Sequence, residues 1–192
     1  MGFRIDKEKA LRNYDYALKK KKVDKPIIPL LDYINSMKKY YTTFSCSGRT
    51  ILLHEFGKRK IDNKFIVKEH GNVNLNKFMN INLDGLEGKI WLKQEPFIIH
   101  IVGKTLESAK KVLEIGMKSG LKHSGVFVFK PDRYILELNG TQRLSAPIIE
   151  NKKMLIHKDY FIYLLSLAEE KMRKNEGTWK SFERNLRSKF RG

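Results

Sequence analysis

Apolar residues at Ala10, Leu11, Tyr14 and Leu18 fall at helical spacing and predict a helix over residues 4–22. It closes in Lys19, Lys20, Lys21 and Lys22, where cations suit the negative end of the helix dipole. Pro26 and Pro29 mark a boundary. Leu30, Leu31, Ile34 and Met37 then form the apolar stripe of a second helix ending near Lys38 and Lys39. Residues 40–50 read as a polar loop, followed by a strand over 50–56, a turn at 57–60 and a short strand over 65–68 that ends at His70. Asn, Gly and Asp crowd residues 71–88, which read as an irregular connection. Residues 91–102 read as one long strand interrupted by Pro96, and its nearly all-apolar second half is the pattern of a buried central strand.

Further on, Thr105 is the expected N-cap of a helix carrying Leu106, Ala109, Val112, Leu113 and Gly116 on one face and stopping at Gly120. Ser124 and Gly125 lead into a strand over 126–129. Pro131 and Asp132 turn the chain into a second strand over 134–138, and residues 144–149, with Pro147 inside, read as an edge strand. A long helix is predicted over 157–174, broken and recapped at Gly177 and Thr178 before a basic amphipathic segment with Trp179, Phe182 and Leu186. These elements predict a mixed α/β (α+β) fold, a single domain over residues 1–192 with a central helix flanked by strands and basic terminal helices. The glycine-rich turn of a doubly wound nucleotide-binding fold is missing, so the fold is not Rossmann-like. Residues 27–56 and 105–129 both pass from a helix through a Ser-Gly pair to a strand. A possible internal duplication of a helix–strand–strand unit would let the two Ser-Gly turns frame one cleft.

At 192 residues the chain is long enough for one domain, or two closely packed halves, with a real core. The charge is less ordinary: 39 Lys+Arg against 21 Asp+Glu gives +18. Such a field concentrates polyanions, so RNA or DNA leads over a merely solubilising surface or an anionic membrane. No run approaches the ~18 apolar residues of a membrane span, and residues 1–6 lack the apolar core of a signal peptide. The chain is expected in the cytoplasm. One cysteine rules out an internal disulfide framework and a Cys-rich zinc site. The histidines (His54, His70, His100, His123, His157) are scattered, and no metal is expected. Neither phosphate-binding glycine loops nor the zinc-protease and serine-hydrolase motifs occur. The balance moves toward a transferase or a binding module.

The segment 40–50 is the densest in chemistry. It holds Thr43, Ser45, Cys46, Ser47, Gly48 and Arg49, and hydroxyls beside a glycine and a guanidinium make a site for an anion or polar ligand. Together with Asp32-Tyr33-Ile34-Asn35-Ser36, the block Ser45-Cys46-Ser47-Gly48-Arg49 resembles the signature of the third tRNA wybutosine-synthesising protein family. The strand ending at His70, the stretch Trp91 to His100 with its Glu95-Pro96-Phe97-Ile98-Ile99-His100 block, the turn at 120–126, Arg133 and the strand around Pro147 are similar to that family in the same order. The likeness runs over roughly residues 5–185. It implies transfer of a methyl group from S-adenosylmethionine to N4 of a demethylwyosine-type base next to the anticodon of phenylalanine tRNA. DNA and membrane are not expected as partners. Two positions depart from the family pattern: Phe44 replaces a serine, and Glu69 stands where an aromatic is common.

Methylating a ring nitrogen requires positioning against a sulfonium methyl and removal of a proton. His70 and His100 are the candidate acceptors, each alternatively a hydrogen-bonded structural histidine. Arg49 is read as a clamp for a phosphate or the cofactor's carboxylate, or else as an ion-pair partner. Trp91 either stacks on the base or packs in the core. Glu95 is a ribose ligand or an acid paired with Arg or Lys. Thr43, Ser45, Ser47, Gly48, Ser124, Gly125 and Arg133 are assigned to substrate or cofactor, with turn and capping duties as the alternative for the serines. Cys46 is read as a wall residue, since transfer to nitrogen needs no thiol. Lys19, Lys20, Lys21 and Lys22, with Arg184, Arg187, Lys189 and Arg191, are the candidate tRNA-backbone contacts. A non-catalytic RNA-binding module and an adaptor for acidic proteins are the competing readings.

Overall fold

In the computed structural model, which describes residues 2–57, 62–82 and 84–190, the chain runs α1 (Phe3–Lys19), a 3-10 turn (Lys25–Ile27), α2 (Ile28–Ser36), β1 (Tyr40–Cys46), β2 (Arg49–Glu55), β3 (Asn63–Glu69) and α3 (Leu75–Met79). It continues with β4 (Lys89–Glu95), β5 (Ile98–Gly103), α4 (Leu106–Lys118), β6 (Gly125–Lys130), β7 (Arg133–Asn139), β8 (Leu144–Glu150), β9 (Lys153–Met154) and α5 (Lys158–Lys189). Its contacts divide it into two interleaved units, the first made of Met1–Ser47, Phe97–Thr141 and Glu176–Gly192, the second of Gly48–Pro96 and Gln142–Asn175. The mixed α+β expectation holds: among the described residues every strand pairing is antiparallel and no doubly wound parallel sheet forms.

The first unit is built on a four-stranded sheet in the order β1-β5-β7-β6. Period-two alternation turns Ile99, Ile101, Leu136 and Leu138 to one face. There they join a core with Leu30, Leu31 and Ile34 of α2, Val112 and Ile115 of α4, and Trp179, Phe182 and Leu186 of α5. Phe97, fully buried, stacks against Trp179 at 6.3 Å between ring centres. On the opposite face α1 lays Phe3 and Ala10 over Tyr41, Val102 and Ile135. The helix α4 starts where expected: Thr105 accepts from the Ser108 backbone while Ser108 Oγ accepts from the Thr105 N–H, closing a capping box. Gly120, at φ +98°, ends it.

The second unit carries a five-stranded sheet, β3-β2-β4-β8-β9. Leu52, Ile90, Leu92, Ile148 and Ile149 pack beneath Phe78 of α3 and Phe161, Leu164 and Leu165 of α5. The expected irregular connection therefore contains a short helix, capped by Asn74 and anchored by the fully buried Phe78.

Several expectations are corrected. Residues 40–46 form β1 rather than a loop, because Tyr-Tyr-Thr-Thr-Phe is rich in strand-forming side chains, and only Ser47 and Gly48 turn the chain. The long strand over 91–102 is two strands in different sheets, parted at Pro96 and Phe97. The break expected at Gly177 is absent. A helical glycine costs about 1 kcal/mol, and burial of Trp179, Phe182 and Leu186 outweighs it. Strand β8 pairs with β4 along its length and with β9 at Ile149 and Glu150, so only part of it is an edge. Of the two stretches proposed as a repeat, 27–56 runs helix–strand–strand, while 105–129 holds α4 and most of β6, with β7 following it. However, β6 and β7 pair as a hairpin whereas β1 and β2 enter different sheets, so the likeness ends at element order. The turn expected at 57–60 falls largely outside the described residues.

Candidate active site

In the first unit the antiparallel register sets Phe44, His100 and Glu137 side by side across β1, β5 and β7. Their side chains share the face on which Tyr41, Val102 and Ile135 lie under α1, and this part of it is left open. The ring of His100 lies 5.2 Å from that of Phe44 and 5.1 Å from that of Phe127. Both phenylalanines are about half exposed, at 50% and 53%. A bulge at Thr43 in β1 and another at Phe127 in β6 flank the histidine, and a bulge re-aims side chains locally. His100 Nε2 lies 2.9 Å from Glu137 Oε2, and the other carboxylate oxygen accepts from Asn139 Nδ2 at 3.1 Å. A carboxylate only accepts, so Nε2–H is the donor, which in the neutral imidazole leaves the lone pair on Nδ1. Sequence reasoning found His100 but missed Glu137, Asn139 and Phe127.

At the end of the same sheet Cys46 pairs with Ile98 and Ile98 with Asn139, whose N–H donates to Ser124 Oγ at 2.9 Å. Ser124 Oγ also donates to the Leu121 carbonyl at 2.6 Å, so its hydroxyl serves the turn. A Cβ at Gly125 would meet no heavy atom within 4 Å, which leaves open space there. Ser47, 6% exposed, gives both its N–H (2.7 Å) and its Oγ–H (3.0 Å) to Asp24 Oδ2. Asp24 is a second residue the sequence left unremarked. Thr42 is likewise engaged, by Asn35 Oδ1. Arg133 begins β7, four positions from Glu137, the residue opposite His100, about 13 Å at strand rise. The structure does not bring it to His100.

Between α1 and β1 runs a hollow of about 320 Å³ lined by Asn13, Tyr14, Lys22, Thr43, Phe44 and Ser45 among others. Tyr14 Oη donates to Asp32 at 2.8 Å, and burial first, then that hydrogen bond, pushes its phenol well above the usual range. Lys19, Lys20, Lys21 and Lys22 are all exposed, as are Arg184 and Lys189. Arg187 is not free for tRNA: it donates to Glu183 and the Pro29 carbonyl and lies 4.4 Å over Tyr33. Arg191 lies outside the described residues.

In the second unit Arg49 and Glu95 are direct cross-strand partners, joined at 2.6 Å, with the guanidinium 4.8 Å over Phe65. The ion-pair alternative is the one the geometry contains. His70 Nδ1 lies 3.1 Å from the carbonyl of Gly48, which sits at φ +101° where a side chain would be strained. Trp91 Nε1 donates to Glu55 at 2.7 Å, and Lys93 lies 5.4 Å over its ring. Glu69 pairs with Lys77.

This architecture of two antiparallel sheets with helices is that of a solved archaeal protein, PH1069 from Pyrococcus horikoshii. The TM-score is 0.89 at 31% identity, covering 96% of each chain. A protein from Aeropyrum pernix, at 24% identity and TM-score 0.75, shares the fold. The chain belongs to the family described as Methyltransferase TYW3, which matches residues 5–188. A relative in Pyrococcus abyssi, named tRNA(Phe) 7-((3-amino-3-carboxypropyl)-4-demethylwyosine(37)-N(4))-methyltransferase 1, is 34% identical over 187 residues, 96% of either chain. The second enzyme of that name in Thermococcus kodakarensis is 34% identical over 183 residues, 94% of this chain and 85% of the relative. The resemblance read from residues 45–49 and 95–100 is borne out.

Proposed function

We propose that this chain methylates N4 of a 4-demethylwyosine-type base beside the anticodon of phenylalanine tRNA, with S-adenosylmethionine as methyl donor. One observation carries the reading: relatives named for this reaction match from end to end, not over a shared module. When bound, the cofactor supplies an electrophilic sulfonium methyl. The ring nitrogen would take that methyl group and give up its proton, which a group of the chain must receive. No described helix is long and apolar enough to cross a membrane, and a cytoplasmic setting goes with the tRNA substrate.

The hollow beside β1 suits such a cofactor in volume and donors. Ligand sites run from about 300 to 1,000 Å³. Thr43, Ser45 and Asn13 offer neutral polar groups, and Lys22 a cation for a carboxylate. Cys46 closes β1 beside them, and open space at Gly125 marks the same end of the sheet. Ser47, Gly48 and Ser124 shape the turns. Arg49 and Glu95 act as a pair, with Trp91 on the same sheet. His100 accepts the proton at Nδ1 while Glu137 holds its ring, and His70, its Nδ1 turned to the Gly48 carbonyl, is the second candidate through Nε2. Lys19, Lys20, Lys21, Lys22, Arg184 and Lys189 attract the phosphate backbone.

Thermal unfolding with S-adenosylmethionine tests this, with and without tRNA. A ligand at 100 times its dissociation constant adds about 2.7 kcal/mol to native stability. A rise in melting temperature is expected. No rise under either condition would favour a non-catalytic RNA-binding module.

A further inference from the structure

Soluble proteins keep large apolar side chains inside, and clusters left outside mark contact surfaces. On the open part of the first unit's sheet, Phe44 and Phe127 stand half exposed on either side of His100, and all three rings come from adjacent strands or the bulges within them. The imidazole between them is held by Glu137, itself bonded by Asn139. Two half-exposed phenylalanine rings, tilted 48° and 60° from the imidazole between them, are thus fixed on one surface of a four-stranded antiparallel sheet whose other face is packed with helices. An exposed-aromatic sheet of this kind gives single-stranded RNA bases a surface on which to stack.

We propose that Phe44 and Phe127, standing on either side of His100, form the aromatic platform against which the target base, unstacked from the anticodon loop, lies during methylation. The proposal rests on the function proposed above for the identity of the base. Charge favours RNA as the occupant: Lys22 lines the hollow that Phe44 borders, and Lys19, Lys20 and Lys21 are exposed next to it. Geometry favours the tRNA base over the cofactor's adenine, because cofactor sites are concave while this platform is an open sheet face. Phe44, a departure from the family pattern at sequence level, becomes one edge of the platform.

The test is affinity of the full chain for two RNAs: tRNA(Phe) bearing the demethylwyosine-type base, and a transcript with plain guanosine at that position. The wild type is expected to prefer the first. Base–aromatic stacking corresponds to roughly 5- to 150-fold per base. Phe127→Ala and Phe44→Ala should each reduce the preference several-fold and leave affinity for the guanosine transcript nearly unchanged, and Phe127→Ala, which does not line the hollow beside β1, should also leave affinity for S-adenosylmethionine nearly unchanged. Phe127→Trp should restore it. Circular dichroism and melting of each variant confirm folding, which substitution of half-exposed side chains should leave intact. Full retention of the preference in both variants overturns the platform. So does absence of a preference in the wild type, an equal loss on both RNAs, or, in Phe127→Ala, a loss of cofactor affinity instead. If the wild type transfers no methyl group yet shows the preference and loses it in the variants, the platform stands and the proposed reaction fails.

Discussion

Replacing Asp24 by alanine removes the single carboxylate oxygen that receives both the N–H of Ser47 at 2.7 Å and its hydroxyl at 3.0 Å. Ser47 is 6% exposed, so water cannot take over both roles. A hydrogen bond to a charged acceptor contributes about 1.5–3 kcal/mol, and a buried donor left unpaired costs about 1–3 kcal/mol. The hydroxyl can rotate to another acceptor, but the backbone N–H is fixed by the chain. The expected loss is therefore about 2–4 kcal/mol, a large part of a typical total of about 5–15. Asp24→Asn keeps one acceptor and should lose about half as much, and Ser47→Ala about 1 kcal/mol. The assay is urea unfolding at neutral pH, comparing midpoints at constant slope. Combining Asp24→Ala with Ser47→Ala should cost less than the two separately, because the changes share a bond. An Asp24→Ala protein within about 0.5 kcal/mol of the wild type would refute the reasoning, and the turn would owe its shape to the chain alone.

Other substitutions probe different parts. Thr105→Ala opens the capping box of α4 and should cost about 0.5–2 kcal/mol in the same unfolding assay. Gly103→Ala would bring a methyl group within 2.9 Å of the Ala109 backbone nitrogen and should destabilise by about 1–3 kcal/mol, read as a lower melting temperature. Burial, aided by the charge of Glu107, pushes the Tyr40 phenol up to about 12. The unfolded chain ionises that group near its ordinary value of 10.0, so the folded state holds the proton longer and stability falls between those two pH values. Tyr40→Phe should flatten this part of the stability–pH curve, as alkaline unfolding would show. Glu137→Gln, which no longer dictates the tautomer of His100, should lower kcat on the order of 10²-fold with KM for tRNA nearly unchanged. A rise in KM alone would make Glu137 a binding residue instead.

The helices and the mixed α+β class were legible because amphipathic spacing in α4 and the apolar run of β7 are local signals. The strand β1 was hidden by its chemistry: Thr42, Thr43 and Ser45 suggested a ligand loop, while Tyr40 and Tyr41 were already strand formers. Glu137 could not be found locally. It sits in an apolar run, and only the register that pairs β5 with β7 sets it against His100. The same holds for Arg49 and Glu95, each visible in the sequence but joined only by pairing of β2 with β4. Asp24 lies 23 residues before Ser47, and no periodicity connects the two. Motif resemblance located the candidate residues; cross-strand register decided which of them meet.

Methyl transfer itself is the most direct test. The chain would be incubated with methyl-labelled S-adenosylmethionine and tRNA(Phe) carrying the 4-demethylwyosine-type precursor, and the digested nucleosides analysed by mass spectrometry. The account predicts the label on N4 of the tricyclic base, with little on a transcript holding plain guanosine there and a marked loss of rate in His100→Ala. An unlabelled tricyclic base, or label placed on another nucleoside, would contradict it.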